Sequence, residues 1–115
     1  MDWITLNETA QISNIKEISF SKDVVIFKHS TTCSISAMAK HRLEDDWDAS
    51  LEMPIYYVDV RTSRDVSNEI AASFEVHHES PQILLIRDGE CIYDSSHFDI
   101  SVSELKESLT YHGIR

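Results

Sequence analysis

The sequence has few of the residues that interrupt helices and strands or form covalent cross-links. Its 115 residues include only two glycines, two prolines and two cysteines. A Gly-rich or Pro-rich linker and a dense disulfide framework are therefore excluded. Since we also find no internal repeat, the length favours a single domain over residues 1–115, long enough to bury a substantial core.

Long apolar runs and positive charge are also scarce. No apolar run reaches the roughly 20 residues of a membrane-spanning helix. The start, Met1–Ile4, lacks the basic and then apolar pattern of a secretory signal, so we expect a cytoplasmic protein with reduced cysteines. Ten basic against 20 acidic residues give a formal charge of −10, which argues against nucleic acid or an anionic membrane as the main partner. A local cluster of positive charge can still bind an anionic small ligand.

What is present is an orderly alternation of helical and strand-like patterns. Apolar residues at helical spacing predict helices near 9–19, 33–50, 63–75 and 101–110. Short apolar runs predict strands near 23–28, 55–60, 82–87 and 90–93.

The turn and cap signals complete this pattern. Asp88-Gly89 separates the last two strands and is a strong hairpin signal, and Ser101 or Ser103 ahead of Glu104 predicts the cap of the last helix. A βαβ unit implies parallel strands, and the hairpin adds an antiparallel pair. We therefore expect a thioredoxin-like α/β fold, with a mixed four-stranded sheet flanked by about four helices.

Cys33 carries the clearest chemical signal in the chain. It follows the apolar stretch Val24–Phe27 and directly precedes a helical pattern. Unpaired backbone N–H groups at a helix N-terminus favour a thiolate, and a thiolate is the nucleophile of disulfide exchange. We therefore expect Cys33 to be accessible to solvent and to act in thiol–disulfide chemistry.

Pro81 opens the first strand of the predicted hairpin. Thioredoxin-like proteins carry a cis-proline at this place, beside the active cysteine. A proline at the first position of a strand also gives up no ladder hydrogen bond, which is the simpler explanation. We expect the Ser80–Pro81 bond to be cis and Pro81 to face Cys33.

Three segments resemble the monothiol bacilliredoxins, a family with a thioredoxin-like fold. They are residues 27–36 (FKHSTTCSIS), 77–84 (HHESPQIL) and 95–100 (SSHFDI). Family members often have proline directly after the active cysteine, where this chain has Ser34. The three segments occur in the family's order and span nearly the whole chain, so they are more specific than Cys-x-x-Ser alone.

The resemblance implies a monothiol thiol–disulfide oxidoreductase that removes bacillithiol, a low-molecular-weight thiol, from mixed disulfides on oxidised client proteins. Cys33 is then the nucleophile. Ser36 stands where a two-cysteine redoxin has its resolving cysteine, so a second small thiol, used as co-substrate and not as a bound cofactor, must reduce Cys33. The resemblance also implies substrate contacts from three segments: Thr31, Thr32 and Ser34; Ser80 and Pro81; Ser96 and His97.

Several neighbouring side chains have two interpretations. Ser36 either hydrogen-bonds the Cys33 sulfur or is a polar residue facing along its helix. Lys28 or His29 can supply a cation that stabilises the Cys33 thiolate, although adjacent strand residues point to opposite faces. A solvated charge at the strand end is the alternative for Lys28. Cys91 is interpreted as a small buried hydrophobe in mid-strand, with a resolving role as the alternative.

No metal site is predicted, and two other classes of function compete. His77 and His78 are adjacent on an extended segment and point apart, and no second group has the spacing of zinc ligands. The first competitor is a glutaredoxin-like iron–sulfur carrier, which also uses Cys-x-x-Ser, although Ser34-Ile35 replaces its usual Gly-Phe. The second competitor is a non-catalytic interaction module that only keeps the fold.

Overall fold

Strands and helices alternate along the chain in this computed structural model, which describes residues 1–114. Its five strands are β1 (Trp3–Thr5), β2 (Val24–His29), β3 (Ile55–Asp59), β4 (Gln82–Arg87) and β5 (Glu90–Ser96). Its α-helices are α1 (Ala10–Ile18), α2 (Ser34–Asp46), α3 (Arg64–Phe74) and α4 (Val102–His112), with a 3₁₀ turn at His97–Asp99. Arg115, the last residue of the expected domain, lies outside the described residues.

The strands form one mixed sheet in the order β1-β3-β2-β4-β5. Both β1 and β2 pair with β3 in parallel, whereas β4 runs antiparallel to β2 and β5 antiparallel to β4. β2 is therefore the central strand, and all six of its residues are buried. Because Lys28 pairs with Gln82, the carboxyl end of β2 lies beside the amino end of β4.

Helices cover both faces of the sheet and enclose two apolar clusters. On one face, α1 and α3 pack on Val24 and Ile26 of β2, together with alternate residues of β3 and β4. On the other face, α2 and α4 pack on Val25 and Phe27. The two-residue period of β2 thus divides its side chains between the two clusters, and the result is a three-layer α/β/α structure.

The expected thioredoxin-like fold with four helices is confirmed, but the number of strands is wrong by one. β1 is a three-residue edge strand that pairs with Ile55–Tyr57 of β3. A segment this short has no alternating pattern to detect, and it is a strand because of hydrogen bonds to residues about fifty positions away. The next residue, Leu6, extends this pairing by donating its N–H to the Tyr57 carbonyl at 2.8 Å.

Local turn and cap signals were reliable. Asp88 and Gly89 both have positive φ, 52° and 78°, as a tight type I′ hairpin turn requires. Ser101 Oγ accepts a hydrogen bond from the Glu104 N–H and caps α4. The Ser80–Pro81 bond is cis, as predicted.

Within residues 1–114, no helix is long and apolar enough to cross a membrane.

Arg87 joins the amino end of β2 to the carboxyl end of α4. Its guanidinium donates to both carboxylate oxygens of Asp23 at 2.8 and 2.7 Å, and to the carbonyls of His112 and Gly113 at 2.8 Å each. The two side chains of the ion pair are only 12% and 6% exposed. Removing one member of such a pair leaves the other charge buried without its partner, which is strongly destabilising.

Asp23→Asn should therefore lower the free energy of unfolding by about 3 kcal/mol, measured by urea denaturation. The matched control is Asp45→Asn, because the carboxylate of Asp45 meets His41 in a fully exposed pair on α2. That control should change the free energy of unfolding by less than about 0.5 kcal/mol. Equal stability losses in the two variants would contradict the structural importance of the Arg87 pair.

Candidate active site

Cys33 lies where the central strand ends and α2 begins. It occupies the N-cap position of α2 with extended backbone angles, φ −104° and ψ 121°. Its carbonyl accepts the first helical hydrogen bond from Ala37 N at 3.0 Å, and its N–H donates to the Ser30 carbonyl at 3.2 Å. The side chain is partly exposed. The residue is thus held by backbone hydrogen bonds on both sides while its thiol remains accessible.

The loop before Cys33 is held by a buried serine on the first turn of α2. Ser36 is fully buried, and its Oγ accepts a hydrogen bond from the Ser30 N–H at 3.0 Å. The same oxygen lies 2.6 Å from Nδ1 of His29. Neither sequence interpretation of Ser36 included this arrangement, in which the hydrogen bonds of its hydroxyl go to the end of β2 and to the loop.

His29 is a neutral partner in this network. Burial and the nearby charge of Lys40 lower its pKa, so that the imidazole is uncharged near neutral pH. Its ring also stacks on Phe27 and packs against Tyr57. As a neutral ring it supplies no positive charge for a thiolate, and its role here is to anchor Ser36.

The side chain of Lys28 points away from α2, the helix that Cys33 caps. Its Nζ donates to the Ser67 carbonyl of α3 and to Nδ1 of His78, both at 3.1 Å. Lys28 and His29 were expected to tune the pKa of Cys33. The hydrogen bonds of their side chains go instead to Ser67, His78 and Ser36, so direct contact with the Cys33 thiol is not the basis of any such effect. Because the pleat sends adjacent residues to opposite faces, the ammonium of Lys28 binds α3 and His78.

The other expected substrate-binding residues come from three segments that meet at one end of the sheet. Lys28 pairs with Gln82, and Gln82 pairs with Ser96. The His97 N–H also donates to the Pro81 carbonyl at 3.1 Å. This register places the Cys33 loop, the turn before β4 and the end of β5 beside one another. The exposed members are Thr31, Thr32 and Ser34, and the partly or fully buried ones are Ser80, Pro81, Ser96 and His97.

Glu79 and His78 are two residues of this region that the sequence analysis did not select. The Glu79 carboxylate lies 3.5 Å from Nε2 of His97 and 3.7 Å from Nε2 of His77, so it links the turn before β4 to the end of β5. His78 binds the buried Lys28. The one available signal was the alternation of Lys28 with Val24 and Ile26, which predicts a buried lysine in need of a partner.

Cys91 lies on β5 in a different environment from Cys33. It is partly buried against the cluster beneath α1 and α3, and its Sγ donates to the Tyr93 carbonyl at 3.3 Å. Burial and the charge of Asp94 raise its pKa to about 11. It pairs with Ile86, four residues along β4 from Gln82, so it lies roughly 13 Å from that end of the sheet. The interpretation as an apolar strand residue fits this environment.

The described residues contain no group of three or more His, Cys, Asp or Glu side chains arranged to hold a metal ion. His77 and His78 have different partners, since His77 meets Glu79 and His78 meets Lys28. The two imidazoles are therefore used separately, in line with their adjacent positions on an extended segment.

A three-layer fold with a partly exposed cysteine capping the helix after the central strand is the arrangement of a thioredoxin-fold protein. Solved thioredoxins share this fold. Thioredoxin of Fasciola hepatica is 19% identical, with 95% of this chain and 98% of that chain covered and a TM-score of 0.71. Thioredoxin f2 of Chlamydomonas reinhardtii is 11% identical, with 99% of each covered and a TM-score of 0.73.

A more similar structure and a family model narrow the class. A solved thioredoxin-fold protein with a suggested oxidoreductase role is 36% identical, with 92% of each chain covered and a TM-score of 0.81. The model of the family described as monothiol bacilliredoxin BrxC matches residues 4–105. The chain belongs to the monothiol bacilliredoxin family, which confirms the resemblance found in the sequence.

Ser36→Ala should destabilise the site that positions Cys33. The substitution leaves the Ser30 N–H and the buried ring of His29 without their shared partner, at a cost of about 1–3 kcal/mol in the free energy of unfolding. Urea denaturation measures this loss. Ser103→Ala, at an exposed position of α4, is the control and should leave stability nearly unchanged. If the two variants are equally stable, Ser36 is not the anchor of the loop.

Alkylation should distinguish the two cysteines in the native protein. At pH 8 a thiol with a pKa of about 11 is a thiolate in only about one molecule in a thousand. Iodoacetamide at this pH should therefore modify Cys33 first and Cys91 only after unfolding in urea, as read by peptide mass spectrometry. Equal labelling rates in the native protein would refute the assigned environment of Cys91.

Proposed function

We propose that this protein is a monothiol thiol–disulfide oxidoreductase that removes a low-molecular-weight thiol from mixed disulfides on oxidised client proteins. By family membership, that thiol is bacillithiol. The observation that carries the proposal is that an accessible cysteine caps α2 while a buried serine occupies the position one turn later. One thiol for attack and none one turn away for resolution is the arrangement that a one-cysteine mechanism requires.

The proposed first step is a thiol–disulfide exchange, in which the number of disulfide bonds stays the same. The Cys33 thiolate attacks the sulfur of the small thiol in the mixed disulfide, and the client leaves as its own thiolate. A new disulfide between Cys33 and the small thiol replaces the one that is broken. The client thiolate then takes a proton from solvent. The client cysteine is thereby reduced and Cys33 is oxidised to the mixed disulfide, so the step needs no external oxidant or reductant.

The second step regenerates the enzyme and uses a second small thiol as co-substrate. Its thiolate attacks the sulfur of the small thiol bound to Cys33, releases the Cys33 thiolate and forms a symmetrical small-molecule disulfide. Ser36 cannot compete in this step, because a hydroxyl forms no disulfide. Cys91 is also a poor resolving residue, because burial raises the pKa of its thiol to about 11 and keeps it protonated near neutral pH.

We propose that the substrate is held by the three segments that meet beside Cys33. The exposed residues Thr31, Thr32 and Ser34 surround the thiol in sequence. Ser80 and Pro81 precede β4, and backbone groups of Ser80 are suited to pair with an extended ligand, as in strand addition. Ser96 and His97 complete the contacts at the end of β5. The clients and the small thiol are then cytoplasmic, and the proposal includes neither nucleic acid nor a membrane as a partner.

Turnover of a bacillithiolated model protein, with excess free thiol as reductant, tests the proposal. Cys33→Ser should abolish release of the small thiol, because a hydroxyl is a far weaker nucleophile than a thiolate at neutral pH. Cys91→Ser should keep most of the turnover once corrected for the folded fraction. An active Cys33→Ser protein would sink the nucleophile assignment.

A folded Cys91→Ser protein that completes only a single turnover would instead make Cys91 the resolving cysteine. Visible absorbance in anaerobically purified wild-type protein, lost in Cys33→Ser, would favour the iron–sulfur carrier over the proposed reaction. Wild-type protein that is colourless and turns over the mixed disulfide supports the oxidoreductase.

A further inference from the structure

Lys28 is a fully buried lysine whose hydrogen-bond partners among the described residues carry no negative charge. Its side chain is 0% exposed, and its Nζ donates to a backbone carbonyl of Ser67 and to the imidazole of His78. Burial without a compensating carboxylate lowers its pKa to about 8, so the side chain is still mostly charged at pH 7. Stability alone does not explain such a residue, because an apolar side chain of similar length would fill the same place at lower cost.

The imidazole of His78 is a matched acceptor for this ammonium. Burial and the charges of Lys28 and Arg64 lower its pKa, so the ring is neutral near pH 7. A lysine ammonium only donates, and Nδ1 of His78 must therefore be the acceptor, with the ring proton on Nε2. Ser67 Oγ lies 3.3 Å from the same Nδ1. This bond is between a buried cation and a neutral ring, which makes it directional and shielded from solvent.

The segment that Lys28 holds is the one that precedes β4 and carries Ser80 and Pro81. Gln82, the cross-strand neighbour of Lys28, donates to the His77 carbonyl at 3.0 Å. At the other end, the His97 N–H donates to the Pro81 carbonyl. Residues 77–81 are thus bound at His77 by the side-chain amide of Gln82, at Pro81 by a backbone hydrogen bond, and at His78 by the buried ammonium.

We propose that Lys28 is a positioning residue: through His78 it holds the segment 77–81 so that Ser80 and Pro81 face the disulfide attacked by Cys33. The identity of that disulfide rests on the proposed function, whereas the hold on the segment does not. This role differs from direct stabilisation of the thiolate. Direct stabilisation would change the reactivity of Cys33 towards any electrophile, and positioning changes only the reaction with substrates that dock on the segment.

Lys28→Met tests the proposal, because methionine has a similar length and fills the apolar site without charge. Its stability to urea should stay close to that of the wild type, because the lost hydrogen bonds to Ser67 and His78 are offset by removal of a buried charge. The alkylation rate of Cys33 by iodoacetamide should be unchanged. The kcat/KM for the mixed disulfide should fall about tenfold, mainly through a higher KM. Hydrogen exchange of peptides covering residues 76–81 should become faster. Lys22→Met, at an exposed lysine, is the control and should match the wild type in all four measurements.

His78→Leu removes the acceptor and provides a second, independent test. It should reproduce the higher KM and the faster exchange, and the double variant should be no worse than either single one, because both substitutions break the same bond. Unchanged exchange in both single variants would overturn the proposal, as would an altered alkylation rate of Cys33 in Lys28→Met. If the wild type shows no turnover, the proposed function fails, while hydrogen exchange still decides whether Lys28 holds the segment.

Discussion

The burial of β2 on both faces is the constraint on which the rest of the structure depends. β2 is the central strand, covered by α1 and α3 on one side and by α2 and α4 on the other, and none of its six residues reaches solvent to any large extent. Four of them are apolar and form the core. The last two, Lys28 and His29, are polar, and a buried polar group must find partners or cost free energy. Their hydrogen-bond partners lie at the end of the sheet that holds the candidate active site.

The pleat of β2 assigns one of these two residues to each face. His29 faces α2 and bonds to Ser36, which in turn accepts from the Ser30 N–H and holds the loop that carries Cys33, the proposed nucleophile. Lys28 faces α3 and bonds to His78 in the segment before β4. The two sides of the proposed exchange site, the attacking thiol and the backbone that receives the substrate, are thereby supported from adjacent residues of a single strand.

The two cysteines lie in different environments. Cys33 sits at an end of the sheet, at the start of a helix and partly exposed, whereas Cys91 packs against the opposite core cluster with its pKa raised by burial. A cysteine that remains protonated resists exchange, because the thiolate is the reactive form. The environment of Cys91 thus disfavours a reactive thiolate, and the proposed thiol chemistry is assigned to Cys33.

Local patterns in the sequence determined most of the elements, the hairpin at Asp88-Gly89, the cap at Ser101 and the place of Cys33 before α2, because each depends on neighbours within a few residues. The thioredoxin-like order of elements predicted the cis bond before Pro81, and the family resemblance predicted the three segments of the site. Only the tertiary structure decided that β1 is a strand, since its partners lie about fifty residues away. It also decided which face each of Lys28 and His29 takes and that Lys28 binds His78, because strand alternation shows that the two diverge but not which helix lies on either side.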